Sequence, residues 1–69
     1  MKLSARNPLK GKITSVTKGV TTAHVQIDIG DGVIVTSSIT NDSVDNLGLK
    51  VGMAATAIIK ASDVMVAVE

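Results

Sequence analysis

Six side chains in this sequence have the chemistry to act together on one class of ligand. Ser4 and Arg6 stand two apart in "SARNPLKGKI" (4–13), Thr40 and Ser43 three apart in "TNDSVDNLG" (40–48), and Lys60 and Ser62 are the two ends of "KAS" (60–62). In an extended segment, residues two apart point the same way, so Ser4 and Arg6 share a face. Thr40 and Ser43 straddle the expected start of a short helix, where unpaired backbone N–H groups already favour an anion. Singly, each of these residues is a cap or a solvated surface group. Together they are donors, with no carboxylate at any of the six positions. Such a set suits an oxyanion that carries no proton of its own.

Other chemistries fit poorly. Nucleophilic catalysis needs a His beside a hydroxyl and an orienting carboxylate, but the single His, His24, falls in the middle of an alternating strand pattern. Asp28, Asp31, Asp42, Asp45, Asp63 and Glu69 show no pairing at a catalytic spacing. The glycines of "GDG" (30–32) lack the third glycine and following helix of a phosphate-binding fingerprint and read as a hairpin turn. The chain has no Cys, which removes disulfides and thiolate metal sites, and one His leaves too few ligands for a structural zinc. No enzyme activity and no direct protein–metal ligands are expected.

The elements that must position the six donors are mostly strands. "GKITSVTK" (11–18) is the first, and Gly19 punctuates it. "VTTAHVQIDI" (20–29) alternates, with Ala23, Val25, Ile27 and Ile29 on one face and Thr22, His24, Gln26 and Asp28 on the other, the period-2 signature of a half-buried strand. "VIVTSSIT" (33–40) follows the turn with Val33, Val35 and Ile39 on one face. Thr40 or Asn41 caps a helix of one or two turns, Asp42 and Asp45 suit its first turns, Val44 and Leu47 face inward, and Gly48 ends it. "MAATAIIK" (53–60) and "DVMVAVE" (63–69) are the last two strands, with "KAS" as the bend between them. The expected fold is all-β: an OB-like five-stranded barrel with one short helix between strands 3 and 4.

Composition limits how that barrel is stabilised. A chain of 69 residues makes one domain, 1–69, and at this size folding buries only about 60% of the unfolded chain's surface. With no Phe, Tyr or Trp, the side chains that normally contribute the largest buried areas are missing. Yet 45% of the residues are hydrophobic, mostly small or β-branched, so a second copy is expected to complete the apolar surface and the protein to be a homo-oligomer. A net charge of +1 gives no basic stripe for sequence-independent nucleic-acid binding, although a small anion needs only a few converging donors. No run approaches the ~20 apolar residues of a membrane span, and no signal peptide is visible, so no membrane partner and a cytoplasmic location are expected. The competing reading is an OB-type nucleic-acid or protein-binding module without an oxyanion ligand. Its weakness is that such barrels stack bases on aromatic side chains, and there are none here.

Three segments carry a resemblance that spans essentially the whole chain. "SARNPLKGKI", "TSSITNDSVDNLGL" and "KASDVMVAVE" strongly resemble the molbindins. These are small molybdenum-pterin-binding-type proteins, related to the molybdate-binding domains of transporter ATPases and of a molybdate-responsive regulator. The resemblance implies an OB-like fold and a homohexamer built as a trimer of dimers. It also implies molybdate or tungstate bound at subunit interfaces; no organic cofactor is expected, and the expected role is intracellular storage or buffering of the oxyanion. It places Ser4, Arg6, Thr40, Ser43, Lys60, Ala61 (through its backbone) and Ser62 in the main oxyanion site. A second class of site maps onto Lys18, Gly19, Val20 and Thr21 of "KGVTTA". One departure stands out: Pro8 follows "SARN" where the family commonly has Gln, removing a backbone N–H and restraining Asn7 to an extended conformation.

Overall fold

The computed structural model describes Lys2 and residues 4–69. Its elements are β1 (Asn7–Lys18), β2 (Thr22–Asp28), β3 (Ile34–Thr40), α1 (Asn41–Leu47) and β4 (Ala54–Ile59), followed by a 3-10 turn at Ala61–Asp63. The strands form one antiparallel sheet in the order β3-β2-β1-β4. The sheet curls into a half-barrel, OB-like in its strand and helix order, with an apolar groove on its open side.

β1 is the organising strand because it serves two neighbours in turn. Its first half, Asn7 to Lys12, pairs with β4, and its second half, Lys12 to Lys18, pairs with β2. The exchange happens around Gly11, where a Cβ would lie 2.2 Å from the Asp28 carbonyl oxygen, so only glycine lets the end of β2 come this close. Just beyond, the register slips between Ile13 and Ser15, leaving Thr14 as a bulge residue that bends the strand. Sequence reading starts this strand at Gly11, whereas pairing begins at Asn7. Alternating burial runs from Asn7 through Leu9 to Ile13, and Pro8 is accommodated because that stretch of β1 bonds a neighbour on one side only.

β2 alternates as expected: Ala23, Val25 and Ile27 are buried while Thr22, His24 and Gln26 are exposed. The β2–β3 reversal places Asp31 (φ 53°) and Gly32 (φ 76°) at its centre, the two positive φ values that a type I′ hairpin turn needs. The Val33 N–H donates to the Gly30 carbonyl across it (3.0 Å). Thr40 caps α1: its Oγ1 accepts from the Ser43 N–H at 3.0 Å. At the other end Gly48 is left-handed, and the N–H groups of Gly48 and Leu49 donate to the carbonyls of Asp45 and Val44, a Schellman exit.

The core consists of Ile13, Ala23, Val25, Ile27, Val44 and Ala57, a set of small side chains with partly buried Leu9, Val16, Val35, Ile39 and Leu49 around it. Two expectations need correction. Leu47 does not face inward with Val44; it is 64% exposed on the rim of the open groove, because so short a helix turns only one narrow face to the sheet. The fifth strand, 63–69, does not form within the chain. After the 3-10 turn, residues 64–69 carry no ladder pairing, and Met65, Val66 and Val68 are 93%, 88% and 92% exposed. Their apolar character is that of a strand, but among the described residues no edge of the same chain receives them.

Candidate oxyanion site

The expected donors fall into two clusters, one at each end of β1. At the helix end, Thr22 pairs with Thr40 and Lys18 with Ala23, so the close of β1, the β1–β2 turn and the start of α1 are neighbours. Here the cap positions both hydroxyls of the first pair: Thr40 Oγ1 donates to Ser43 Oγ at 2.9 Å while accepting from the Ser43 N–H. The turn bearing Lys18, Gly19, Val20 and Thr21 closes on itself through a Gly19 N–H to Thr22 carbonyl bond of 2.7 Å.

Asn41, which sequence reading considered only as a possible cap, joins these two parts. Its backbone N–H donates to the Thr21 carbonyl (2.9 Å), and its Nδ2 donates to the carbonyls of Gly19 (3.0 Å) and Val20 (3.3 Å). The Asn41 Oδ1 is buried without a hydrogen-bond partner. Nothing local signals this role, because the contact spans more than 20 residues of sequence. Lys18 at the same turn does not stand alone either: its Nζ pairs with Asp45 Oδ1 of α1 at 2.5 Å.

At the opposite end, Asn7 pairs with Ile59 and its Nδ2 donates to the Ile59 carbonyl (3.1 Å). Arg6 and Lys60 are therefore the residues one step beyond the last rung, one on each strand, and both are exposed. Ser4 lies two residues further out, exposed, on the same side of the chain order as Arg6. Beyond Lys60 the chain turns, with the Asp63 N–H bonded to the Lys60 carbonyl (2.9 Å) and the Val64 N–H to that of Ala61 (3.2 Å). The backbone N–H groups of Ala61 and Ser62 therefore stand at the open start of the turn. Asp63 adds one carboxylate beside this cluster.

Within one chain the two clusters do not meet. Twelve residues of β1 separate them, roughly 35 Å along the strand at ~3.3 Å per residue. The open groove gathers neither: it is a depression of about 630 Å³ between β3 and β4, floored by Ile13, Val25 and Ile27 and walled by Val35, Ile39 and Ile58, with no charged residue in its lining. An anion has no reason to enter it. Among the described residues no group of His and acidic side chains is arranged to hold a metal ion.

Comparison with known proteins matches this architecture throughout. Residues 3–66 match the TOBE domain family. The chain belongs to that family. Among similar proteins, molybdenum-pterin-binding protein 3 of Clostridium pasteurianum is 52% identical over 66 residues, covering 96% of this chain and 97% of that one. The probable molybdenum-pterin-binding protein of Haemophilus influenzae is 52% identical over 69 residues and covers both chains completely. Among solved structures, MopII from Clostridium pasteurianum superposes with a TM-score of 0.90 at 48% identity, over 97% of this chain and 100% of that one. A molybdate-binding protein from Sporomusa ovata gives 0.91 at 36% identity, over 97% and 98%. The molbindin resemblance and the OB-like fold expected from sequence are both borne out by these relatives.

Proposed function

We propose that this TOBE-domain chain binds molybdate, or tungstate, between the subunits of a homo-oligomer and serves as a cytoplasmic store or buffer of the oxyanion, without catalysis. The observation that carries the proposal is the division of the donors: Ser4, Arg6, Lys60, Ala61 and Ser62 at one end of β1, Thr40 and Ser43 at the other. Neither cluster encloses a ligand alone. Brought together from two chains, they surround a tetrahedral dianion with two cationic side chains, hydroxyls and backbone amides.

Molybdate is unprotonated near neutral pH, so all its oxygens accept. A cluster of donors satisfies it, whereas the hydroxyl of protonated phosphate requires an acceptor and is disfavoured. Arg6 and Lys60 supply charge-assisted bonds, and the hydroxyls and amides supply direction. Sulfate has the same charge and shape, and its smaller size is the basis for rejecting it. The ligand in this reading is the bare oxyanion; the chain has no Phe, Tyr or Trp to supply a stacking platform for a pterin.

Assembly is supported by a different part of the molecule. The apolar groove and the unpaired, exposed 64–69 segment are surfaces that a neighbouring copy would cover. We take the assembly to be a hexamer made as a trimer of dimers, with Lys18, Gly19, Val20 and Thr21 as a second class of anion position. Because ligand and neighbour then bind the same state, molybdate stabilises the oligomer by mass action. Among the described residues no helix is long and apolar enough to cross a membrane.

Calorimetric titration with molybdate, with sulfate and phosphate in parallel, tests the reading. Saturable uptake of molybdate in preference to both controls is the expected result. No heat from molybdate, in a sample shown by light scattering to be folded and oligomeric, would sink it.

A further inference from the structure

Helix α1 grips the β1–β2 turn at two points. Asn41 and Asp45 stand four residues apart on α1, a spacing that puts both on one helix face. Asn41 holds the carbonyls of Gly19 and Val20 with its amide, and Asp45 holds the ammonium of Lys18 with its carboxylate. The first contact fixes the turn. The second occupies the one cation that the turn itself offers to an anion.

We propose that Asp45 is a specificity-determining residue that competes with an oxyanion for Lys18 and so weakens the turn as an anion position relative to the main site. The inference rests on the oxyanion reading above and concerns its second class of site. Two effects act in the same direction. A dianion must displace the Asp45 carboxylate from Lys18, and while it approaches it is repelled by that carboxylate. The pair bridges an open depression lined by Val16, Lys18, Val44, Asp45, Leu49 and Lys50, so neutralising Asp45 leaves Lys18 and Lys50 as the charges there. In the single chain both partners of the pair remain about half solvated, with side chains 46% and 63% exposed, so the ion pair is weak and Asp45 acts as a competitor, not a lock. At the few-ångström separations involved, removing one unit charge from the path of a dianion in water changes affinity by about tenfold at low salt, less as salt screens it.

The test is amide NMR of the assembled protein titrated with sodium molybdate at low ionic strength. Responses are followed at Gly19, Val20 and Thr21 for the turn and at Ser43 and Ser62 for the main site. In Asp45→Asn the turn amides are expected to reach half-saturation at about tenfold lower molybdate than in the wild type, and Lys18→Ala added to Asp45→Asn should abolish the gain. Asp31→Asn makes the same change in net charge at the distant β2–β3 turn, where Asn tolerates the positive φ. An equal gain in Asp31→Asn, or an unchanged midpoint at the turn in Asp45→Asn, overturns the proposal. The readouts separate the two claims: silence at Ser43 and Ser62 in every protein would sink the main-site reading, while the turn amides still decide the role of Asp45.

Discussion

The two ends of β1 carry similar donors in opposite states of organisation. At the helix end Thr40, Asn41, Ser43 and Lys18 all have partners: a cap, two carbonyls, a second hydroxyl, a carboxylate. At the far end, among the described residues, Arg6, Lys60 and Ser62 make no side-chain hydrogen bond, and the one polar tie is Asn7 to Ile59, just inside the last rung. One end has its polar groups already engaged before a ligand arrives. The other keeps its donors uncommitted, solvated and free to reorient, so it contributes charge at the cost of ordering flexible side chains. Folding and binding should accordingly be coupled at the helix end and separable at the other.

Four substitutions break or sharpen that contrast. Gly11→Ala acts on the strand joining the two ends and should be the most damaging. Its Cβ meets the Asp28 backbone at 2.2 Å, and overpacking against backbone costs about 3 kcal/mol, read as a lower urea midpoint. Arg6→Ala comes next and should leave that midpoint in place. Removing a charge-assisted bond worth about 2 kcal/mol weakens molybdate binding roughly thirtyfold by calorimetry. Asn41→Ala leaves the carbonyls of Gly19 and Val20 without their donor. A stability loss of about 1–2 kcal/mol is expected, with faster hydrogen exchange at the turn amides. Thr40→Ala removes the cap, lowering stability by about 1 kcal/mol. Unlike Arg6→Ala, it should weaken molybdate binding in parallel. If Arg6→Ala and Thr40→Ala shifted stability and affinity in the same proportion, the distinction between the two ends would collapse.

What was legible in the sequence follows the same division between local and distant causes. The alternation of β2, the Asp31–Gly32 turn, the Thr40 cap and the Gly48 exit are each decided within a few residues, and each is formed. The sequence pattern starts β1 four residues late, because Pro8 and the lysines look like a loop until the one-sided pairing with β4 is known. Residues 63–69 have the composition of a strand, yet a strand is made by a partner edge, and composition says nothing of which chain supplies it. The donors of the candidate site were found by residue type. Their separation into two clusters, the clasp made by Asn41 and the pairing of Lys18 with Asp45 depend on contacts across 21 to 27 residues of sequence.

The placement of donors at opposite ends of one strand has a genetic consequence. In a two-fold dimer of the proposed kind, each site draws its Arg6 end from one copy and its Thr40 end from the other, and the second site draws the reverse. Pair a copy defective at Arg6 with a copy defective at Thr40. Both lesions then fall in the same site, and the other site is assembled wholly from sound parts. Two alleles that each fail alone would complement one another when expressed together.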